Sequence, residues 1–364
     1  MKAAVLYEYK TPLVVEEVEL DDPKEHEVLV KNGAAGICRS DYHFMKGEAR
    51  VALPAVLGHE GSGIVQQVGA GVSSVKPGDQ VIFSFVPNCG RCHFCTIGRP
   101  NLCSLHAATM GNLFDGTTRL HKGDLRFAHF GKVACFAEYS VVPEAGCIPV
   151  TKAVPMDVAA LIGCCVTTGA GAAIFNAEVQ PGSTVAVVGC GGVGLNVIQG
   201  ARLLNASRII AVDVREGQLE FAMKFGATHT VNASHQDAVA TVKEIADGLG
   251  ADYAFEAYGS AETAKLTFDM TRKGGTAVVV GIAPIGDQAG IDAVSLVREE
   301  KVLKGCYYGS ARCHEDMPKM VDMYLSGRLN IDDLITRRYS LDQINEAYKD
   351  LEEGGIGRGV IMYQ

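Results

Sequence analysis

Apolar positions fall into two textures along this chain. Up to about residue 150 they come in short β-type runs, such as Val28–Lys31, Gly63–Val68, Gln80–Phe85 and Ala137–Val142, cut by Gly and Pro turns. This pattern predicts a β-rich, barrel-like domain with long loops. After Pro155 the rhythm changes. Strand-like runs at Thr184–Gly189, Arg208–Asp213, His229–Asn232, Ala251–Glu256 and Gly275–Ile282 alternate with helical stretches such as Val193–Leu204 and Gln218–Phe225. Strands alternating with helices predict an α/β, doubly wound parallel sheet. From about Tyr308 the pattern turns to helices and short strands and ends in the Gly-rich turn Gly354–Gly359. At 364 residues the chain exceeds one ordinary core, so two domains are expected.

Composition narrows the function. With 48% hydrophobic and 21% charged residues, the balance is that of a soluble globular protein. A net charge of −9 without a Lys/Arg-rich run argues against a nucleic-acid partner, because phosphate binding needs a basic footprint. The longest apolar runs, such as Ala277–Ile282, fall short of a membrane span, and no signal core follows Met1. A cytoplasmic protein is expected. Four of the 12 cysteines crowd into residues 89–103, which in a reducing compartment points to metal rather than disulfides. Cys135, Cys147, Cys190, Cys306 and Cys313 show no partner pattern and read as small buried apolar residues.

Two motifs carry chemistry on spacing alone. Cys89, Cys92, Cys95 and Cys103 supply four thiolates within one short segment. Tetrahedral zinc takes such a set at about 2.3 Å, and four sulfurs leave no position for substrate. Short spacings also suit an iron–sulfur cluster, the competing reading. Gly189, Gly191 and Gly194 fit G-x-G-x-x-G directly after an apolar strand, with Gly192 and Val193 completing the loop. The glycines allow a tight turn and close approach to a pyrophosphate, which the next helix meets with its N-terminal amides. Asp213 ends the second strand, where a carboxylate accepts from ribose hydroxyls and repels a 2′-phosphate. NAD is therefore favoured over NADP, although Arg215 stands nearby.

Three further islands hold Cys38, His59 and Glu60, and Cys164; spacing alone leaves each of them structural. Together with the four-cysteine lobe and the Gly-rich loop, the segments GICRSDYH, GHEGSG, LIGCC and the final IGRGV resemble the medium-chain, zinc-dependent alcohol dehydrogenase family along essentially the whole chain. The resemblance implies a GroES-like catalytic domain (residues 1–165 and 309–364, with a zinc lobe at about 86–106) and a Rossmann NAD-binding domain (residues 166–308). It implies two zinc ions per chain: a structural one on the lobe and a catalytic one on Cys38, His59 and Cys164. Cys165 stands where the family commonly has Gly. Asp41 would orient His59, and Glu60 would approach the metal transiently.

The implied chemistry is oxidation of a primary or secondary alcohol to aldehyde or ketone with hydride transfer to NAD, and the reverse. Zinc acidifies the alcohol, Ser40 takes its proton, and the relay runs through the nicotinamide ribose to His43, which opens to solvent. Arg39 and Arg358 resemble the pyrophosphate contacts, and Thr168 a residue beside the nicotinamide. Ala49, Phe85 and Phe130 align with pocket positions and suggest an apolar pocket. The branch acting on the glutathione–formaldehyde adduct carries an arginine after the fourth lobe cysteine; Ser104–Ala108 contains none. The partner is thus a small alcohol or aldehyde. The rival readings are a zinc-free reductase, a zinc hydrolase lacking H-E-x-x-H, and a non-catalytic dinucleotide-binding protein retaining the fold. A homodimer or homotetramer is expected from family habit, with Val302–Gly309 as the candidate contact.

Overall fold

The computed structural model describes Met1–Gln364 and divides into two compact units, Cys165–Ala311 and the discontinuous pair Met1–Cys164 with Arg312–Gln364. In the contiguous unit six strands form one sheet, ordered His229–Asn232, Arg208–Asp213, Thr184–Val188, Ala251–Glu256, Thr271–Val279 and Val302–Gly305. Every pairing in it is parallel. The order reverses next to Thr184–Val188, so the loops leaving this strand and its neighbours form the crevice where open α/β sheets bind ligands. Thr184–Val188 is buried throughout because both of its faces are covered, which is why it reads as an unbroken apolar run.

The discontinuous unit is built on the long strand Glu27–Gly36. Gly61–Val68 pairs with one side of it. The other side is shared by Tyr139–Pro143 and, at its last residues, Arg358–Met362. Gln80–Phe83, Cys147–Val150 and Ile335–Tyr339 extend this seven-stranded sheet. A smaller sheet of Val14–Glu17, Lys2–Leu6, Ala55–Val56 and Ala128–His129 stands apart, its register keeping Ala3, Ala4, Val5 and Leu6 buried. The expected β-rich domain is present, although several strands are only two residues long.

One element departs from the sequence reading. No apolar run approached the length of a membrane span, yet Met156–Asn176 is continuous helix, 21 residues long and apolar enough to cross one. Most of it is buried, as in the core helix of a globular protein. Two π-turns, Ile162–Val166 and Ala172–Asn176, interrupt its α-helical winding. Such turns widen the helix by one residue and re-aim side chains, often at functional sites. The first of them carries Cys164.

Candidate active site and zinc centres

Three elements of the discontinuous unit converge on Cys38, His59 and Cys164. Cys38 is the N-cap of the helix Arg39–Met45, at the end of the central sheet strand. His59 follows Gly58, whose φ of +89° and closeness to the Phe136 backbone (2.6 Å from a hypothetical Cβ) admit only glycine. Cys164 arrives on the π-turn, where Gly163 lets the helix press against the Phe83 carbonyl. The three donor atoms lie within 4.8 Å of one another, with Cys164 Sγ 3.3 Å from His59 Nε2. All three are buried. Cys165 instead faces Asn196 Nδ2 at 3.9 Å, which leaves Cys164 as the ligand.

The surroundings suit a cation. Hydrogen bonding with Cys164 leads in holding the Cys38 thiol well below its usual range against the opposing effect of burial, with His59 and Arg358 assisting. Burial would push His59 down, but Asp41 and Cys38 hold it well above its usual value. A thiol held low beside an imidazole is a donor set that a divalent metal can take, displacing protons as it binds. His59 Nδ1 lies 3.0 Å from the fully buried Asp41 carboxylate, an ion-pair contact that orients the ring, and Asp41 also accepts from Gly58 N at 2.9 Å.

Glu60 is fully buried and paired with the Arg358 guanidinium, which also donates to Ile37 O at 2.8 Å. The Glu60 carboxylate is thus held by a cation, and Arg358, expected at the pyrophosphate, is turned inward. Arg39 is exposed; Ser40 and His43 lie half-buried at positions i and i+3 of one helix, neighbours on its surface. His43 keeps a partial opening to solvent. Its ring is 15% exposed and Nδ1 lies 2.5 Å from Glu48 Oε2.

Beside His59 stand Phe85 and Phe130, edge-on at centroid distances of 5.0 and 5.4 Å. Phe44, which the sequence reading missed, packs on Phe130 at 4.4 Å. Its signal was an aromatic next to His43, indistinguishable in sequence from a core residue. Ala49 is half-buried and folds back onto the same helix, its N–H donating to His43 O at 3.3 Å.

The second metal centre is local. Cys89, Cys92, Cys95 and Cys103 bring four sulfurs within 4.8 Å of one another. Backbone N–H groups of Cys89 and Cys92 donate to the sulfurs of Cys103 and Cys89, each at 3.3 Å, as they do around bound thiolates. Gly90 and Gly98, at φ of +70° and +79°, turn the chain between ligands. Of the cysteines read as buried, Cys135, Cys147, Cys190 and Cys306 are so; Cys313 is half-buried, and Ser84 Oγ donates to it at 3.3 Å.

In the contiguous unit, Gly189 takes a φ of +92° and Gly194 packs so closely on the Gly189 carbonyl (1.8 Å from a hypothetical Cβ) that no side chain fits. The helix Gly192–Leu203 starts there with Gly191 as N-cap, its first amides directed at the loop. Asp213 accepts from Cys190 N at 2.8 Å and from Val214 N and Arg215 N, which fixes its carboxylate beside the glycine turn. Arg215 caps the next helix, and Thr168 is half-buried.

Comparisons with known proteins agree with this geometry. Residues 24–152 match the alcohol dehydrogenase GroES-like domain, and residues 192–326 the family described as zinc-binding dehydrogenase. The chain is 40% identical to the NDMA-dependent alcohol dehydrogenase of Amycolatopsis methanolica, over 100% of this chain and 98% of that protein. It is 41% identical to the S-(hydroxymethyl)glutathione dehydrogenase of Saccharomyces cerevisiae, over 99% of this chain and 95% of that protein. The crystal structure of benzyl alcohol dehydrogenase from Acinetobacter calcoaceticus superposes with a TM-score of 0.95 at 35% identity, covering 100% of this chain and 99% of the other. With one open Cys/His/Cys set, one closed four-cysteine set and full-length relatives of this kind, the chain belongs to the medium-chain, zinc-binding alcohol dehydrogenase family and is a zinc-dependent alcohol dehydrogenase.

Proposed function

We propose that the preferred substrates are primary alcohols with an aromatic or bulky apolar group, oxidised with NAD rather than NADP. The observation carrying the substrate class is the set of Phe44, Phe85 and Phe130 around the zinc ligand His59, a surface that favours ring stacking over small aliphatic groups. The likeness to a benzyl alcohol dehydrogenase supports it. The glutathione adduct is disfavoured, because Ser104–Ala108 offers no arginine for its carboxylates. Asp213 supports NAD: its fixed carboxylate accepts from ribose hydroxyls and repels a 2′-phosphate.

Cys38, His59 and Cys164 would hold the catalytic zinc, which supplies Lewis-acid polarisation of the alcohol oxygen and lowers the cost of losing its proton. The other side chains orient and move protons. Asp41 fixes the His59 ring, and Arg358 holds the Glu60 carboxylate away from an uncompensated buried charge. Ser40 takes the hydroxyl proton and His43 passes it outward, while the three phenylalanines exclude water. Arg39 contributes positive charge to dinucleotide binding, and Thr168 lies beside the nicotinamide in this reading.

Initial rates of NADH formation test this directly. Benzyl alcohol should exceed ethanol in kcat/KM, and NAD should exceed NADP by roughly 100-fold, about 2.7 kcal/mol. A parallel arm with an added electron acceptor covers slow NADH release, since one relative is NDMA-dependent. Equal efficiency with both cofactors would refute the Asp213 assignment, and a preference for ethanol would refute the aromatic pocket.

A further inference from the structure

The helix Arg39–Met45 ends in a turn that brings an acidic side chain onto the relay histidine. Lys46 caps the helix and Gly47 follows at a φ of +73°. Gly47 N donates to Phe44 O at 3.0 Å and Glu48 N to His43 O at 2.9 Å. This is the Schellman pairing, in which the residue after the glycine is folded back beside the residue three positions inside the helix. That contact is normally apolar. Here the two residues are Glu48 and His43, and their side chains meet at 2.5 Å between Oε2 and Nδ1. Glu48 is 42% exposed while His43 is 15% exposed, so the carboxylate is the more open of the two.

We infer that Glu48 is a positioning residue for His43: it fixes the imidazole tautomer that leaves Nε2 as the proton acceptor. The inference rests on the reading of His43 as the relay base. A carboxylate only accepts, so Nδ1 carries the hydrogen of this pair and Nε2 is left as the acceptor of the ring. When Nε2 takes up a proton, the imidazolium is held by the ionised Glu48 carboxylate at Nδ1; the Nε2 proton then leaves to water, and the ring returns to its neutral Nδ1–H form with Glu48 unchanged. Without Glu48 the ring is free to adopt the other tautomer, in which Nε2 is a donor and cannot accept. The turn geometry marks position 48.

The test uses zinc-loaded full-length protein with 15N-labelled histidine, without alcohol or dinucleotide. Long-range proton–nitrogen spectra should assign His43, identified by its loss in His43→Gln, to the Nδ1–H form in wild type, and Glu48→Ala should move it to the Nε2–H form or to a mixture. In turnover, Glu48→Ala should lower kcat by roughly 10-fold, less than outright loss of an acid–base group because water substitutes in part. KM values should change little. Glu48→Gln should fall between the two, and the double variant Glu48→Ala/His43→Gln should be no slower than His43→Gln alone. An Nε2–H tautomer in wild type, a tautomer unmoved by Glu48→Ala, or additive losses in the double variant would overturn the inference. A fully active His43→Gln overturns the relay itself and the rate half of the inference with it; the nitrogen spectra then decide the positioning role alone.

Discussion

Two histidines sit where a proton is costly to place. Burial, assisted by Arg119, pushes His129 down to about 3, and burial with Lys132 nearby pushes His106 down to about 4. In the unfolded chain both bind a proton below about 6.5. Between 6.5 and these folded values the unfolded state therefore holds more protons, so stability falls as pH drops through that window. Each histidine contributes a slope of up to about 1.4 kcal/mol per pH unit. Urea unfolding of wild type and His129→Gln at pH 7, 6 and 5 should show the wild type losing more with each step, zinc release in acid affecting both alike. A constant difference would show that His129 is not buried neutral. At this scale the sequence was legible where chemistry imposes a local pattern: the lobe cysteines and the glycine loop stand out, and Cys38, His59 and Cys164 became visible through their flanking segments. Buried charges were illegible. Arg119, buried and bidentate on Glu27, and Lys132, donating to the carbonyls of His106, Thr109 and Asn112, look in sequence like ordinary surface residues. Glu48 had a signal that went unused: a glycine closing the helix that bears His43 implies a fold-back onto it.

Among the elements, the helix Met156–Asn176 brings Cys164 to the catalytic zinc site. Gly163 approaches the Phe83 carbonyl so closely that a Cβ would stand 2.9 Å from it. Gly163→Ala must therefore push the π-turn off the sheet and carry Cys164 away from His59. Overpacking of this kind costs roughly 1–3 kcal/mol, less than the stability of an ordinary domain. The variant should remain folded by circular dichroism while bound zinc drops from two per chain toward one and activity is lost, because the four-cysteine lobe is untouched. Two zinc ions with full activity would reject this account of Gly163. The same glycine explains why the helix was not seen whole: Gly163, Gly169 and Gly171 punctuate it as loops would, although here they permit close packing. The parallel strands, by contrast, were read almost to the residue, the central ones because double-sided burial gives unbroken apolar runs. Only Gly275–Ile282 was displaced; the strand spans Thr271–Val279 and ends where the chain turns at Gly281 beneath the Glu256 carboxylate. Two-residue strands such as Ala55–Val56 are too short for any alternation to register.

For the whole molecule, the parallel sheet of the contiguous unit leaves Val302–Gly305 as an open edge, with Val302 48% and Leu303 42% exposed. The strand is shorter than the Val302–Gly309 run expected, because Tyr308–Ser310 forms a 3₁₀ turn. An apolar open edge can take a second strand, and we propose that a second copy of this chain supplies it. Light scattering should give a dimer or tetramer for wild type and a lower mass for Leu303→Asp. A wild-type monomer would refute the pairing. The central sheet of the other unit has a different consequence. Arg358, which secures Glu60, donates to Ile37 from 321 residues along the chain, and its strand completes the flank of Glu27–Gly36. On a ribosome the contiguous unit can close as soon as it emerges, and the cysteine lobe can capture zinc within a short loop. Cys38, His59 and Cys164 emerge early, but the sheet that carries them closes only after nearly the whole polypeptide has been made.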